Sequence, residues 1–162
     1  MRILRARAFA AAPLAGLLLL AGCMTMAEGS APAASSTLVG VKRIGRCHMG
    51  GCSWFRVEDF AMVRETPDMA LLRVTLREGS STHGNGRPPR ENSNAAIAWN
   101  AQPSETYILC SSSRPALIER AENGRWEAVR MDLVTTAGAM ESAAAQYAAV
   151  CHPGEDWHAE GF

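Results

Sequence analysis

The chain has 162 residues, of which 48% are hydrophobic and 20% charged, with 14 glycines and 8 prolines. This composition is that of one globular domain, and it excludes collagen-like, disordered and multi-pass membrane chains. The 16 basic residues balance 16 acidic ones, so no net charge attracts the chain to nucleic acid, which is not expected as a partner.

The first 22 residues have the pattern of a signal peptide. Three arginines within the first seven residues precede an uncharged, mostly apolar stretch over residues 9–21. A membrane-spanning helix takes about 20 residues, so this stretch is too short to span. It ends in Leu20-Ala21-Gly22-Cys23, a motif that resembles the lipobox of bacterial lipoproteins.

The resemblance implies cleavage before Cys23 and acylation of its thiol, which would anchor the protein to a membrane. Two or more acyl chains make such an anchor stable. Met24 rather than aspartate follows the cysteine, and by the sorting pattern of Gram-negative lipoproteins this implies an outer-membrane protein facing the periplasm. The alternative is an ordinary signal peptide that happens to be cleaved before a cysteine.

The mature chain divides into a tether and one domain. Residues 23–37 are mainly small side chains with nothing to bury, which is typical of a flexible linker. Residues 38–162 are expected to form a single globular domain. Cleavage removes three of the 16 basic residues and none of the 16 acidic ones, which leaves a formal charge of −3.

Strand patterns dominate the first part of the domain, over residues 38–44, 54–66, 69–78, 95–99 and 106–110. The clearest is 69–78, where apolar residues from Ala70 to Leu76 alternate with Arg73, Thr75 and Arg77. Turn-forming residues at 66–68 predict that the second and third strands form an antiparallel hairpin.

A further hairpin is predicted over residues 116–131, around Asn123-Gly124. A two-residue loop would place Glu122 opposite Arg125 and Arg120 opposite Glu127, two favourable cross-strand pairs. This register leaves neither face cleanly apolar, so a longer turn is the alternative.

The pattern then changes to a helical period. The helical stripe runs from Met140 to Cys151 and includes Tyr147, and Pro153 ends it. The predicted fold is therefore α+β, an antiparallel sheet of five to seven strands with one C-terminal helix packed on it. The alternative is a small β-barrel with a helical lid.

Four cysteines remain beside Cys23, an even number in an oxidising compartment. They allow three pairings. Two glycines between Cys47 and Cys52 favour a tight turn closed by a disulfide, which leaves Cys110 and Cys151 to join a strand to the helix. These cysteines, with the adjacent His48 and His152, also contain enough soft ligands for zinc, but they lack the paired two-residue spacings of zinc sites, so no metal is expected.

The sequence offers one candidate binding segment, residues 79–94. Sixteen consecutive residues lack a large apolar side chain, and loops of that length are often functional or disordered. His83, Arg87 and Arg90 are candidate contacts to an acidic partner. The alternative is a mobile, solvated loop.

No catalytic motif is found: the chain has no phosphate-binding glycine loop and no Gly-x-Ser-x-Gly elbow. We therefore expect no catalytic residue, no cofactor and a non-enzymatic protein-binding module in the cell envelope. Small lipoproteins of this architecture include inhibitors and immunity proteins, although architecture alone is a weak guide to function. The alternatives are a structural or assembly accessory that binds the cell wall or an envelope complex, and a hydrolase with an unrecognised site.

Overall fold

The computed structural model describes residues 38–84, 87–136 and 138–154. Within them the chain forms seven strands, a short 3₁₀ helix and one α-helix. In chain order these are β1 Lys42–His48, β2 Gly51–Thr66, β3 Met69–Thr82, β4 Ala98–Trp99, β5 Ser104–Ser111, β6 Ala116–Arg120, β7 Trp126–Arg130, the 3₁₀ helix Gly138–Met140 and α1 Glu141–Cys151.

The strands form one open antiparallel sheet in the order β1-β2-β3-β5-β6-β7, and β4 pairs with the end of β3. The predicted antiparallel sheet with one C-terminal helix is confirmed. The alternative of a closed barrel is wrong, because β1 and β7 lie at opposite edges of the sheet and do not pair with each other.

The β2–β3 hairpin is the centre of the sheet, and it forms around the predicted turn, with Thr66 opposite Met69. On β3 the residues Ala70, Leu72, Val74 and Leu76 are fully buried, whereas Arg73 between them is exposed. The period of two in the sequence therefore separates the core face from the outer face.

Helix α1 covers the core face of the sheet. Its buried surface includes Ala144 of the predicted stripe and is wider than that stripe, since Ala145 and Ala148 are buried as well; alanines let the helix lie close to the strands. The Tyr147 hydroxyl donates to the carbonyl of Ser111 on β5 at 3.1 Å and accepts from its N–H at 3.2 Å. A Cβ on Gly45 of β1 would collide with Ser142, so this glycine is required for the close approach.

Two disulfides are present, and they are the pairs that the glycine turn favoured. Cys47 and Cys52 are opposite each other in the β1–β2 ladder, with Cα atoms 4.1 Å apart. Cys110 on β5 is bonded to Cys151 at the end of α1, with Cα atoms 5.4 Å apart. All four thiols are thus oxidised, and none is available as a thiolate ligand.

Several strand boundaries and one strand register differ from the sequence expectation. β1 begins at Lys42 rather than at 38, because Gly40 turns the chain with φ +82°. β4 has two residues instead of five. The β6–β7 connection takes the longer turn: Arg120 faces Trp126, so the predicted Arg120–Glu127 and Glu122–Arg125 pairs do not form.

Candidate functional site

The predicted polar segment is shorter than expected, because residues 79–82 extend strand β3. Gly79 makes this possible. A Cβ on Gly79 would lie 2.9 Å from the Ala98 carbonyl oxygen and 2.9 Å from the Ile97 side chain. Only glycine at position 79 therefore lets residues 97 and 98 pack this closely against β3. We call the remaining residues 83–94 the polar loop; residues 85 and 86 lie outside the described part of it.

The polar loop is attached to the free edge of β1. The Glu91 carboxylate accepts the backbone N–H of Ile44 at 3.0 Å and Nη1 of Arg43 at 2.8 Å. Lys42 donates from Nζ to the Ser93 carbonyl. Backbone N–H groups at a sheet edge invite pairing with other chains, and Glu91 of the loop accepts one of these groups, that of Ile44.

The chain that follows the polar loop covers a second small core on the face of the sheet opposite the helix. Its centre is Trp54, which is 1% exposed although it stands on the outer face. Packed with it are Ile44, Cys52, Cys47, Ala95, Ile97 and Trp99. The sequence pattern predicted residues 95–99 as a strand and did not show that they cover a buried tryptophan.

The ion pair between Arg77 and Glu58 fixes the C-terminal end of the segment that covers Trp54. Arg77 donates to both Glu58 oxygens, at 2.5 and 3.0 Å, and to the carbonyls of Asn100 and Ala101 at 2.9 and 2.7 Å. The Arg77 hydrogen bonds, with a further contribution from Arg56, hold the pKa of Glu58 below its usual value. The segment after β4 is thereby tied to β2 and β3.

His83, a predicted site residue, is placed by a chain of hydrogen bonds that begins in the second core. The indole N–H of Trp54 donates to Ser81 Oγ at 2.7 Å, and Ser81 Oγ lies 2.7 Å from Nε2 of His83. Ser81 Oγ thus accepts from the indole and lies within hydrogen-bond distance of the imidazole. The backbone N–H of His83 also donates to the Gly50 carbonyl at 2.6 Å.

That last bond joins the polar loop to the disulfide turn, by which we mean residues 47–52. Its two central residues, Met49 and Gly50, have φ of +48° and +78°. Positive φ at both positions matches the twist of a two-residue hairpin. Such a φ is uncommon for a residue other than glycine, yet Met49 adopts it and its side chain is 92% exposed.

The disulfide turn and the polar loop enclose a shallow depression of about 60 Å³, far below the roughly 300 Å³ of small ligand pockets. It is lined by Cys47, His48, Met49, Gly50, Gly51, Cys52, His83, Arg87 and Pro88. Two predicted contact residues, His83 and Arg87, thus lie beside the predicted Cys47–Cys52 disulfide. Arg90 does not line the depression, although it is exposed.

The predicted lipidation site Cys23, the signal peptide and the tether lie outside the described residues. In the described ranges no three His, Cys, Asp or Glu side chains are grouped to hold a metal ion. No helix in the same ranges is long and apolar enough to cross a membrane.

Met49 is the surface residue that sequence reasoning missed. A signal was present: if Cys47 pairs with Cys52, the strands leave two residues for the turn, and one of them is a methionine.

Comparison of the chain with protein-family models, curated proteins and solved structures finds no match. The function is therefore inferred from the geometry of the disulfide turn and the polar loop.

Proposed function

We propose that the protein is a lipid-anchored envelope protein that binds a protein partner without catalysing a reaction, and that the disulfide turn with the polar loop forms the contact surface. The observation that carries this proposal is Met49. A large apolar side chain that is 92% exposed is unfavourable in water, and its left-handed backbone stores conformational strain. Such a combination is typical of residues retained for contact.

The surface around Met49 is rigid, which favours binding because little order is lost on association. The Cys47–Cys52 disulfide and the His83–Gly50 hydrogen bond fix the turn from two sides. His48 and Arg87 border it. Methionine adapts its shape to a partner, and imidazole and guanidinium groups donate hydrogen bonds to carboxylates and carbonyls.

Anchoring at Cys23 would place this surface at the outer membrane, facing the periplasm. The support is the lipobox-like Leu20-Ala21-Gly22-Cys23 and the small-residue tether that follows it. A tethered, rigid surface suits an inhibitor or immunity-like protein. A structural or assembly accessory would use the same surface on an envelope complex, and the identity of the partner separates the two.

A hydrolase is a second candidate because Ser81 and His83 have the spacing of a nucleophile and a base. Two observations favour a structural role for the pair. Ser81 is 6% exposed, and its Oγ accepts the buried indole N–H of Trp54. A fluorophosphonate probe that labels wild type but not Ser81→Ala would establish the hydrolase; absence of labelling supports the binding role.

The binding surface is tested by site-specific photo-crosslinking in intact cells. A photoreactive amino acid at position 49 should yield a defined adduct with another protein. The matched control is Val134, which is 85% exposed and lies between β7 and α1. Equal crosslinking from both positions, or none from position 49, would contradict the proposal.

Point substitutions are better probes of the polar loop than a deletion. Removing residues 83–94 would also remove the Glu91 bonds to β1, so a loss of binding could not be separated from a loss of stability. Arg87→Ala changes the lining of the depression and should weaken the adduct, whereas Arg90→Ala should not. If both variants crosslinked like wild type, the loop would have no part in the contact.

A further inference from the structure

Strand β7 leaves a row of backbone groups open. Two backbone hydrogen bonds at its ends show which residues of β7 direct their backbone groups toward β6. The Ala121 N–H donates to the Arg125 carbonyl at 2.8 Å, and the Met131 N–H donates to the Pro115 carbonyl at 3.0 Å. Odd-numbered residues therefore direct their N–H and C=O toward β6. Trp126, Ala128 and Arg130 direct theirs to the outside, where no strand pairs with β7 in the described part of the chain.

The outer face of this edge is basic and aromatic. Arg120 lies opposite Trp126, with its guanidinium carbon 5.0 Å from the ring centroid. Tyr107 packs against the same indole edge to face, at 5.1 Å between centroids. Alternation along β7 places Arg130 on this face as well. Tryptophan, tyrosine and arginine are the residues most enriched at interface hot spots.

The helix-side face of the same edge is acidic. Glu119 on β6 lies directly opposite Glu127 on β7, and like charges in that position are destabilising. Partial desolvation and the nearby Glu78 raise the pKa of Glu119. The Arg125–Glu127 ion pair spans 4.0 Å between side chains that are 78% and 52% exposed, which makes it a weak compensation.

A second copy of this chain does not fit the edge. Antiparallel pairing of two β7 strands centred on Ala128 would place Arg130 opposite Trp126 of the other copy, beside its Arg120. On the helix side Glu127 would lie opposite Val129 of the other copy. Neither Arg130 nor Glu127 would therefore gain an opposite charge across the seam, whereas a strand of opposite pattern would neutralise both.

We propose that β7 accepts an extended segment of a partner protein as an additional antiparallel strand. An acidic residue of that segment lies opposite Arg130 on the outer face, and a basic residue three positions later lies opposite Glu127 on the helix side. Backbone hydrogen bonds to Trp126, Ala128 and Arg130 hold the strand, and the two charges set its register and direction. This surface is distinct from the disulfide turn and does not depend on the function proposed for that turn.

The test uses two fluorescein-labelled peptides of equal composition and the mature full-length protein in detergent micelles. The matching peptide is carboxyfluoresceinyl-Thr-Glu-Val-Thr-Lys-Val-Thr-amide, with the dye on the N-terminus so that the lysine keeps its charge, and its control exchanges the glutamate and the lysine. Fluorescence anisotropy should show at least tenfold tighter binding of the matching peptide. The double variant Glu127→Lys with Arg130→Glu should reverse that preference.

A third variant tests the backbone component. Ala128→Pro removes an N–H that points outward and leaves the β6 bonds intact, so it should abolish binding, whereas Ala128→Val should not. Equal affinity for both peptides, binding of neither, or a preference unchanged in the double variant would overturn the proposal. Dimerisation that Ala128→Pro abolishes would also overturn it, by making a second copy the occupant. Met49→Asn should leave peptide binding unchanged, which separates this test from the one at the disulfide turn.

Discussion

The two disulfides differ in how much stability they should contribute, and the difference follows from the loops they close. Cys110 and Cys151 are 41 positions apart, whereas Cys47 and Cys52 are 5 apart. When a disulfide restricts the unfolded chain, its contribution grows with the logarithm of the loop length. The long loop corresponds to about 4 kcal/mol and the short loop to about 2 kcal/mol.

Burial increases the difference. Cys110 and Cys151 have no exposed surface and belong to the main core with Tyr147. Replacing both with alanine leaves a cavity the size of two sulfur atoms, which adds about 1 kcal/mol or more. Cys47 is only partly buried, so the matching substitution at the disulfide turn leaves less empty volume. We expect a loss near 5 kcal/mol for Cys110→Ala/Cys151→Ala and near 2 kcal/mol for Cys47→Ala/Cys52→Ala.

Urea unfolding of both double variants, followed by circular dichroism, measures the two losses directly. Small domains have about 5–15 kcal/mol of stability, so the core variant should lose a third or more of it and unfold at a lower urea concentration than the turn variant. Reduced wild type is the control, because it loses both disulfides without changing a side chain volume. Equal losses, or a larger loss at the disulfide turn, would refute the reasoning from loop length and burial.

Three further outcomes are expected. Cys23→Ser should move the protein from the membrane fraction to the soluble periplasm on cell fractionation, and retention in the membrane would exclude acylation as the anchor. Met49→Asn should raise the free energy of unfolding by about 1 kcal/mol, because asparagine tolerates positive φ and the 92% exposed Met49 has little burial to lose; a lower thermal midpoint would contradict this. The pKa of Glu119 is raised in the fold, so its stabilising contribution is full below the ordinary value of 4.5 and is lost as pH rises through the folded pKa. Glu119→Gln should therefore stabilise the protein at pH 7 but not well below pH 4.5, as measured by thermal melts across pH, and a gain independent of pH would contradict the desolvation argument.

The candidate site was only partly visible in the sequence. The polar composition of residues 79–94 indicated His83 and Arg87, and the structure places both at the depression beside the disulfide turn. Composition does not show what a segment covers, however. The residues that follow the loop bury Trp54, and a hydrogen bond from Trp54 to Ser81 leads on to His83. These contacts join side chains that are distant in sequence, so they appear only in the folded sheet.

The sequence by itself determined the features that repeat over a few residues: the alternation along β3, the turn at residues 66–68, the helix that ends before Pro153, and the glycine turn between Cys47 and Cys52. Each follows from local periodicity or turn chemistry. The tertiary structure alone decided the β6–β7 register, the open edge at β7 and the left-handed conformation of Met49. These features depend on which strands become neighbours and which sheet edges are covered. Both are decided by contacts between segments that are distant in sequence, so no local pattern predicts them.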